Sequence, residues 1–194
     1  AGLAEGIKEC AYFEIGTWRG ESVATVSSRA RSCFTLCLTE KEMQKRGMHP
    51  NTSKSHSLFS KGLKNVTQLR GDSRSFDFGQ LNRKFDLIFI DGDHHYDFIL
   101  SDTENIFRHL VHEKSIVVWH DYGFHPEQVR FEVMAAILDG VGPERAEKVY
   151  HVAYTKSAIY TGEKMLAEPA DFPVVPEEYF QTEISRHPGN GTDS

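Results

Sequence analysis

The chain has 194 residues, of which 39% are hydrophobic and 26% charged. That is enough apolar content for one substantial core and too much for a disordered polypeptide. A formal net charge of −6 argues against a protein held to nucleic acid mainly by neutralising phosphates. Cys10, Cys33 and Cys37 are an odd set without metal-ligand spacing, and two of them lie in an apolar run, which fits a reducing compartment.

In chain order, "CAYFEIG" (Cys10 to Gly16) reads as a short buried strand closing on glycine. "GESVATVSSRAR" then spaces Val23, Val26 and Ala30 along one helical face. "CFTLCL" (Cys33 to Leu38) is a continuous apolar run suited to a strand covered on both faces, and "NVTQLRGDS" is a weaker third strand. "FDLIFIDG" (Phe85 to Gly92) is the strongest strand. The helix after it places Ile99, Ile106, Leu110 and Val111 near one face, and "SIVVWHDY" is the next strand. A helix is predicted from Pro126 to Gly140, with proline near its start and glycine at its stop. "KVYHVAY" and "SAIYT" read as a C-terminal antiparallel hairpin.

Two stretches depart from this alternation. Residues 39–64, rich in Lys, Ser and His, are expected to form an insertion of short helix and loop near the active-site rim, and residues 167–194 a proline-rich extended tail. No run of about 18 apolar residues is present, and no basic region followed by an apolar run opens the sequence. A membrane association is therefore not expected, and the default location is cytoplasmic.

Strands alternating with helices at this spacing imply an α/β fold: a doubly wound, mostly parallel sheet, with ligands bound beyond the carboxyl ends of its strands. Gly16 to Gly20, Asp72, Asp91 to His95 and His120 to Asp121 all fall at those ends. Glu14 stands out because a carboxylate closing a buried strand must be paired or must meet a ligand. In "FIDGDHHYD" and "WHDY", several carboxylates and histidines gather on two adjacent strand ends. Such crowding raises at least one pKa unless something offsets it. A divalent metal, a substrate ammonium or hydroxyl network, and a purely structural network all satisfy that demand.

"EIGTWRG", "GDS", "FDLIFIDGDHHY" and "VVWHDY", in this order and spacing from about Tyr12 to Thr161, resemble class I S-adenosylmethionine-dependent methyltransferases, the Rossmann-like enzymes, and within them the small-molecule and sugar O-methyltransferase branch. The resemblance implies one methyltransferase-like domain over residues 1–166. Glu14, Gly16, Thr17 and Gly20 would line the methionine part of S-adenosylmethionine, Asp72 and Ser73 would lie near its adenine, and Asp91 and Gly92 would stand beside the sulfonium. In metal-dependent relatives the equivalents of Asp91, His120 and Asp121 hold Mg²⁺, and a base matches His94, so Asp91 and His94 are the expected catalytic pair. Two departures stand out. Cys37 occupies the place of the acidic residue that binds the ribose hydroxyls, with Glu40 three residues on. His120 stands where related sites have a carboxylate, a substitution that suits Mn²⁺ better than Mg²⁺. The implied partner is a small-molecule or saccharide hydroxyl acceptor rather than nucleic acid or membrane, and a homodimer is compatible with it. Two other readings stay open: a metal-dependent hydrolase or hydroxylase-like enzyme on the same scaffold, and a non-catalytic binding module.

Overall fold

The computed structural model describes residues 1–126 and 128–162; the tail expected over 167–194 lies outside the described residues. A one-turn helix α1 (Gly2–Glu5) precedes β1 (Ala11–Ile15), α2 (Glu21–Ser27) and β2 (Ser32–Cys37). Two short helices, α3 (Glu40–Lys45) and α4 (Pro50–Ser55), fill the expected insertion before β3 (Val66–Arg70). A 3₁₀ turn (Phe78–Leu81) leads to β4 (Leu87–Ile90), α5 (Tyr96–His109) and β5 (Ile116–Trp119). There follow β6 (Gly123–His125), β7 (Gln128–Val129), α6 (Phe131–Val141), α7 (Pro143–Ala146), β8 (Val149–His151) and β9 (Ala158–Thr161).

Seven strands form one sheet in the order β3-β2-β1-β4-β5-β9-β8, and β6 and β7 pair separately as an antiparallel hairpin. β1 to β5 run parallel, while β9 is antiparallel to β5 and β8 to β9, the C-terminal hairpin that the sequence predicts. The near-continuous apolar character of β4 and β5 follows from burial on both faces. On one face Phe13, Ile88 and Val117 meet Ile99 and Ile106 of α5 and Val133 and Ile137 of α6. On the other, Tyr12, Cys33, Leu87 and Ile116 pack with Val23 and Val26 of α2. Each such side chain, fully buried, contributes roughly 1.5–3 kcal/mol.

The chain leaves β1 toward β2 on one side and β4 toward β5 on the other, so the strand order reverses between β1 and β4. Ile15 stands opposite both Leu36 and Ile90 in register, which brings the three carboxyl ends level. An open crevice is expected at that reversal.

The helix predicted from Pro126 begins instead at Phe131. The amide of Arg130 donates to the Tyr122 carbonyl at 2.8 Å and closes the β6–β7 hairpin, so Pro126 lies in a turn and Gln128 and Val129 in a strand. The predicted stop at Gly140 is also corrected. Gly140 lies inside α6, where an added Cβ would come within 2.7 Å of Thr103, so the glycine permits close approach of α5 and α6. The helix runs on to Val141 and is closed by Gly142, whose φ is 78°. Among the described residues no helix is long and apolar enough to cross a membrane.

Candidate active site

The reversal point is built from backbone in contact with backbone. The Gly16 amide donates to Leu36 O at 3.0 Å, and the Asp91 amide to Ile15 O at 2.9 Å, which ties the turns after β1 and β4 to the sheet. Gly16 has φ +96°, and a Cβ there would lie 2.0 Å from the Asp91 carbonyl oxygen. Only glycine meets both the conformation and the approach. Two residues on, Trp18 takes φ 44°, a left-handed conformation that a bulky residue rarely adopts, and its side chain is 54% exposed.

Glu14 supports this loop from beneath. It is wholly buried, and its carboxylate accepts from Tyr12 Oη at 2.6 Å, Ser22 Oγ at 2.5 Å and Thr35 Oγ1 at 3.1 Å. Because Thr35 spends its proton on Glu14, Thr17 Oγ1 is the donor in the 2.5 Å bond to Thr35 Oγ1. Burial pushes the Glu14 pKa up to about 7 despite those three hydroxyls. Glu14 is thus paired within the protein and lies behind the cavity wall. Gly20 also stands back from the wall, capping α2 and packed against Ser60.

A cavity of about 240 Å³ opens between these strand ends and the insertion. Gly16, Thr17, Asp72, Ser73, Asp91 and Gly92, all singled out from the sequence, line it together. Glu40 does not: it is exposed in the first turn of α3, outside the cavity wall. Cys37 is in the wall, and the Arg70 guanidinium donates to its Sγ and to Ser57 Oγ at 3.1 Å. Sequence reasoning missed the insertion's contribution of Arg46, Met48 and His56, and missed Phe98. Asp72 pairs with Arg46 at 2.7 Å and Arg74 at 3.2 Å. Burial opposes its charge, yet the bonds and charge of Arg74, joined by Arg46, hold its pKa below the usual carboxylate range. Both guanidinium groups lie over the Phe98 ring, 5.3 and 4.0 Å from its centroid.

Beside the cavity, the ends of β4 and β5 bring together Asp91, His94, His120 and Asp121. His94 Nε2 is 3.0 Å from Asp121 Oδ2. His120 Nδ1 lies 3.1 Å from Asp91 Oδ1 and 3.3 Å from Asp121 Oδ1, close enough for ion pairing but off the line of a directed hydrogen bond. Contact with Asp91 raises the His120 pKa, and the charge of Asp121 adds to it, against burial and Lys156. Lys156, from the turn between β8 and β9, reaches Asp121 Oδ1 at 3.5 Å. No local signal in the sequence marks that lysine. Asp121 has φ 50°, a conformation Asp tolerates, which turns its carboxylate into this cluster. Asp93 instead accepts from His95, both from the ring nitrogen at 2.5 Å and from the amide at 3.0 Å, and so shapes the start of α5.

The metal triad expected from the sequence is Asp91, His120 and Asp121. Among the described residues the group whose ligand atoms fall within 4.8 Å of one another is Asp91, His94 and Asp121. Lys156 pairs with Asp121, and the His120 ring stands against both Asp91 and Asp121. The donor set thus fits Mg²⁺, which seeks oxygen ligands and keeps several waters, poorly. The cavity fits a nucleoside cofactor better: small residues and exposed backbone at Gly16 and Gly92, and an acidic group at either end.

A family model described as a methyltransferase domain matches residues 13–122, from β1 to Tyr122 after β5. The chain belongs to this methyltransferase domain family, of the class I S-adenosylmethionine-dependent type. A search of curated proteins gives no match. Among solved structures the chain is similar to a candidate O-methyltransferase from Nostoc punctiforme PCC 73102, at 12% identity over 82% of this chain and 53% of that one, TM-score 0.54. It is also similar to CalS10, an amino pentose methyltransferase from Micromonospora echinaspora, at 18% identity over 66% and 48%, TM-score 0.45. Streptomyces venezuelae DesVI matches at 16% identity over 63% and 49%, TM-score 0.44. The chain spans about half the length of these structures, and at such identities the likeness is one of fold.

Proposed function

We propose that this chain transfers a methyl group from S-adenosylmethionine to a hydroxyl oxygen of a small-molecule or saccharide acceptor. Family membership supports the cofactor. The observation that carries the oxygen acceptor is the pair of His94 and Asp121, 3.0 Å apart and grouped with Asp91, which lines the cavity. When bound, the cofactor supplies an electrophilic methyl on a sulfonium. Gly16, Thr17 and Gly92 would hold its amino-acid end and Asp72 and Ser73 its adenine end, with the Asp91 carboxylate facing the sulfonium charge.

The remaining work is alignment and removal of one proton. Holding the acceptor oxygen in line with the methyl can account for up to about 7–11 kcal/mol of barrier. The contact with Asp121 favours the tautomer in which His94 Nε2–H donates to the carboxylate, leaving the Nδ1 lone pair to take the hydroxyl proton. Asp121 then stabilises the imidazolium that forms. General-base assistance of this kind contributes about 10²- to 10⁴-fold. Lys156 offsets the charge of Asp121, and His120 stands against both Asp91 and Asp121, so the reading assigns proton removal to His94 and not to a metal. An ion held by Asp91, His94 and Asp121 would occupy the imidazole and displace the base.

Calorimetry with S-adenosylhomocysteine, followed by methyl transfer to a panel of hydroxyl compounds, tests the reading. His94→Ala is expected to lower kcat by about 10²- to 10⁴-fold with unchanged S-adenosylhomocysteine affinity, and EDTA is expected to leave the wild-type rate intact. A rate lost to EDTA and restored by Mn²⁺ would move the base's role to a metal. No binding of either cofactor form, or turnover without S-adenosylmethionine, would sink the methyltransferase reading.

A further inference from the structure

The carboxylate that the resemblance places after β2, for the ribose of the cofactor, is missing from the cavity wall. Cys37 stands at the end of β2 with its sulfur taken up by Arg70, and Glu40 is exposed and outside the cavity wall. A vicinal diol offers two donors and several lone pairs, and a site that binds it needs at least one well-placed polar partner. Arg46 is paired with Asp72, and Arg70 is engaged with Cys37 and Ser57.

His56 is different. It closes α4 at the edge of the insertion and forms part of the cavity wall. Neither of its ring nitrogens has a hydrogen-bond partner among the described residues, and both are shut off from water. Ser53 Oγ, three residues earlier on the same short helix, is buried and unpaired as well. Burial, with the nearby Arg70 charge adding to it, holds the His56 pKa below the ordinary imidazole range. In its neutral form, which burial favours, the ring has one N–H to donate and one lone pair to accept. Its cover is the Trp18 indole, which meets it edge-on with centroids 5.5 Å apart and is itself 54% exposed. Buried polar groups without partners are rare in folded proteins, and each calls for a water, an ion or a ligand to meet it.

Resting on the methyltransferase reading above, we propose that His56 binds the ribose hydroxyls of the cofactor, a role the insertion takes over from the missing carboxylate after β2. Entry of the nucleoside displaces Trp18 from the imidazole, and the ring then donates to one hydroxyl and accepts from the other. His56 is in this sense a cofactor-binding residue supplied by the most irregular part of the chain.

The test is calorimetry on the full 194-residue chain, with S-adenosylhomocysteine and its 2′,3′-dideoxyribose analogue as probes. His56→Ala is expected to weaken S-adenosylhomocysteine binding by about 10- to 100-fold, the effect of one or two hydrogen bonds. His56→Gln, which keeps a donor and an acceptor, is expected to recover most of it, and the dideoxy analogue to bind wild type and His56→Ala alike. In the wild type, the ¹⁵N shifts of the His56 ring nitrogens are expected to move much farther with S-adenosylhomocysteine, which supplies the two hydroxyls, than with the dideoxy analogue, a readout that stands even if His56→Ala unfolds. Equal S-adenosylhomocysteine affinity in wild type and His56→Ala, equal losses with both probes, or unmoved ring shifts would each overturn the assignment alone. A wild type that binds neither cofactor form would overturn it together with the methyltransferase reading.

Discussion

The cavity has two walls made in opposite ways. On one side the ends of β1 and β4 are fixed by the parallel ladder, with Gly16 and Asp91 in backbone contact and Ile15, Leu36 and Ile90 level beneath them. On the other side stand α3 and α4, six residues each, of which α3 wholly buries only Met43 and α4 no residue. The first wall leaves no freedom at the atoms that meet the ligand. The second carries buried polar atoms that still lack partners at Ser53 and His56. On the proposed reading a preset floor and an adaptable roof share the binding of one ligand: the sheet would place the reactive end and the insertion would adjust to the nucleoside.

If the floor has no slack, Gly16→Val produces the largest effect. A branched side chain would be driven into the Asp91 carbonyl from a backbone with φ +96°. The expected result is loss of measurable S-adenosylhomocysteine binding, with destabilisation above about 4 kcal/mol in chemical denaturation. A variant that kept wild-type affinity would show that the β1 and β4 turns can separate, and the contrast between the walls would fall.

A second effect reaches the floor from behind. Asp102 of α5 is buried, with Oδ2 3.4 Å from where a Cβ on Gly92 would sit, and its Oδ1 is unpaired among the described residues. Burial pushes its pKa from 3.8 up to about 7, against a hydrogen bond from Ser73. A carboxyl whose pKa is higher in the folded than in the unfolded state binds more protons when folded between those two values. Its contribution to stability is therefore present at low pH and falls as pH rises from about 4 to about 7. Glu14, at about 7, acts in the same direction. Urea unfolding at pH 5 and pH 8 is expected to show wild type losing more stability across the interval than Asp102→Asn, by on the order of 2–4 kcal/mol. Equal slopes would mean that Asp102 finds a partner in solution and that the floor is not strained from below.

What the sequence discloses follows the same division. The apolar runs of β4 and β5 and the polar residues directly after them state their positions locally, so the sheet, the reversal point and the gathering of Asp91, His94, His120 and Asp121 are all legible. Glu14 is legible as a carboxylate in need of partners, though not that Tyr12, Ser22 and Thr35 supply them. The start of α6 is misplaced because Pro126 fits a helix opening as well as a hairpin turn. Lys156 and His56 escape notice for a different reason: each meets its surroundings through a long-range closure, and neither has a periodic or spacing signal of its own. Glu40 is favoured by its position in sequence, yet it is exposed in the first turn of α3 and is not part of the cavity wall.

The smallest expected effect tests the roof alone. Thr39 begins α3 with a capping box: its Oγ1 accepts from the Glu42 amide at 3.3 Å, and Glu42 Oε2 accepts from the Thr39 amide at 2.8 Å. These bonds satisfy two donors that a helix start leaves open, and with only six residues α3 has few internal bonds to fall back on. Replacing a threonine cap by alanine costs about 1 kcal/mol. In Thr39→Ala that loss is expected to appear as faster amide hydrogen exchange confined to residues 39–46, with a fewfold weaker affinity for S-adenosylhomocysteine, because Arg46 at the end of α3 lines the cavity and pairs with Asp72. Exchange in β1 and β4 should not change. If protection there fell in step with α3, the insertion and the sheet would unfold as one unit, and the adaptable wall would have to be explained by something other than its independence from the floor.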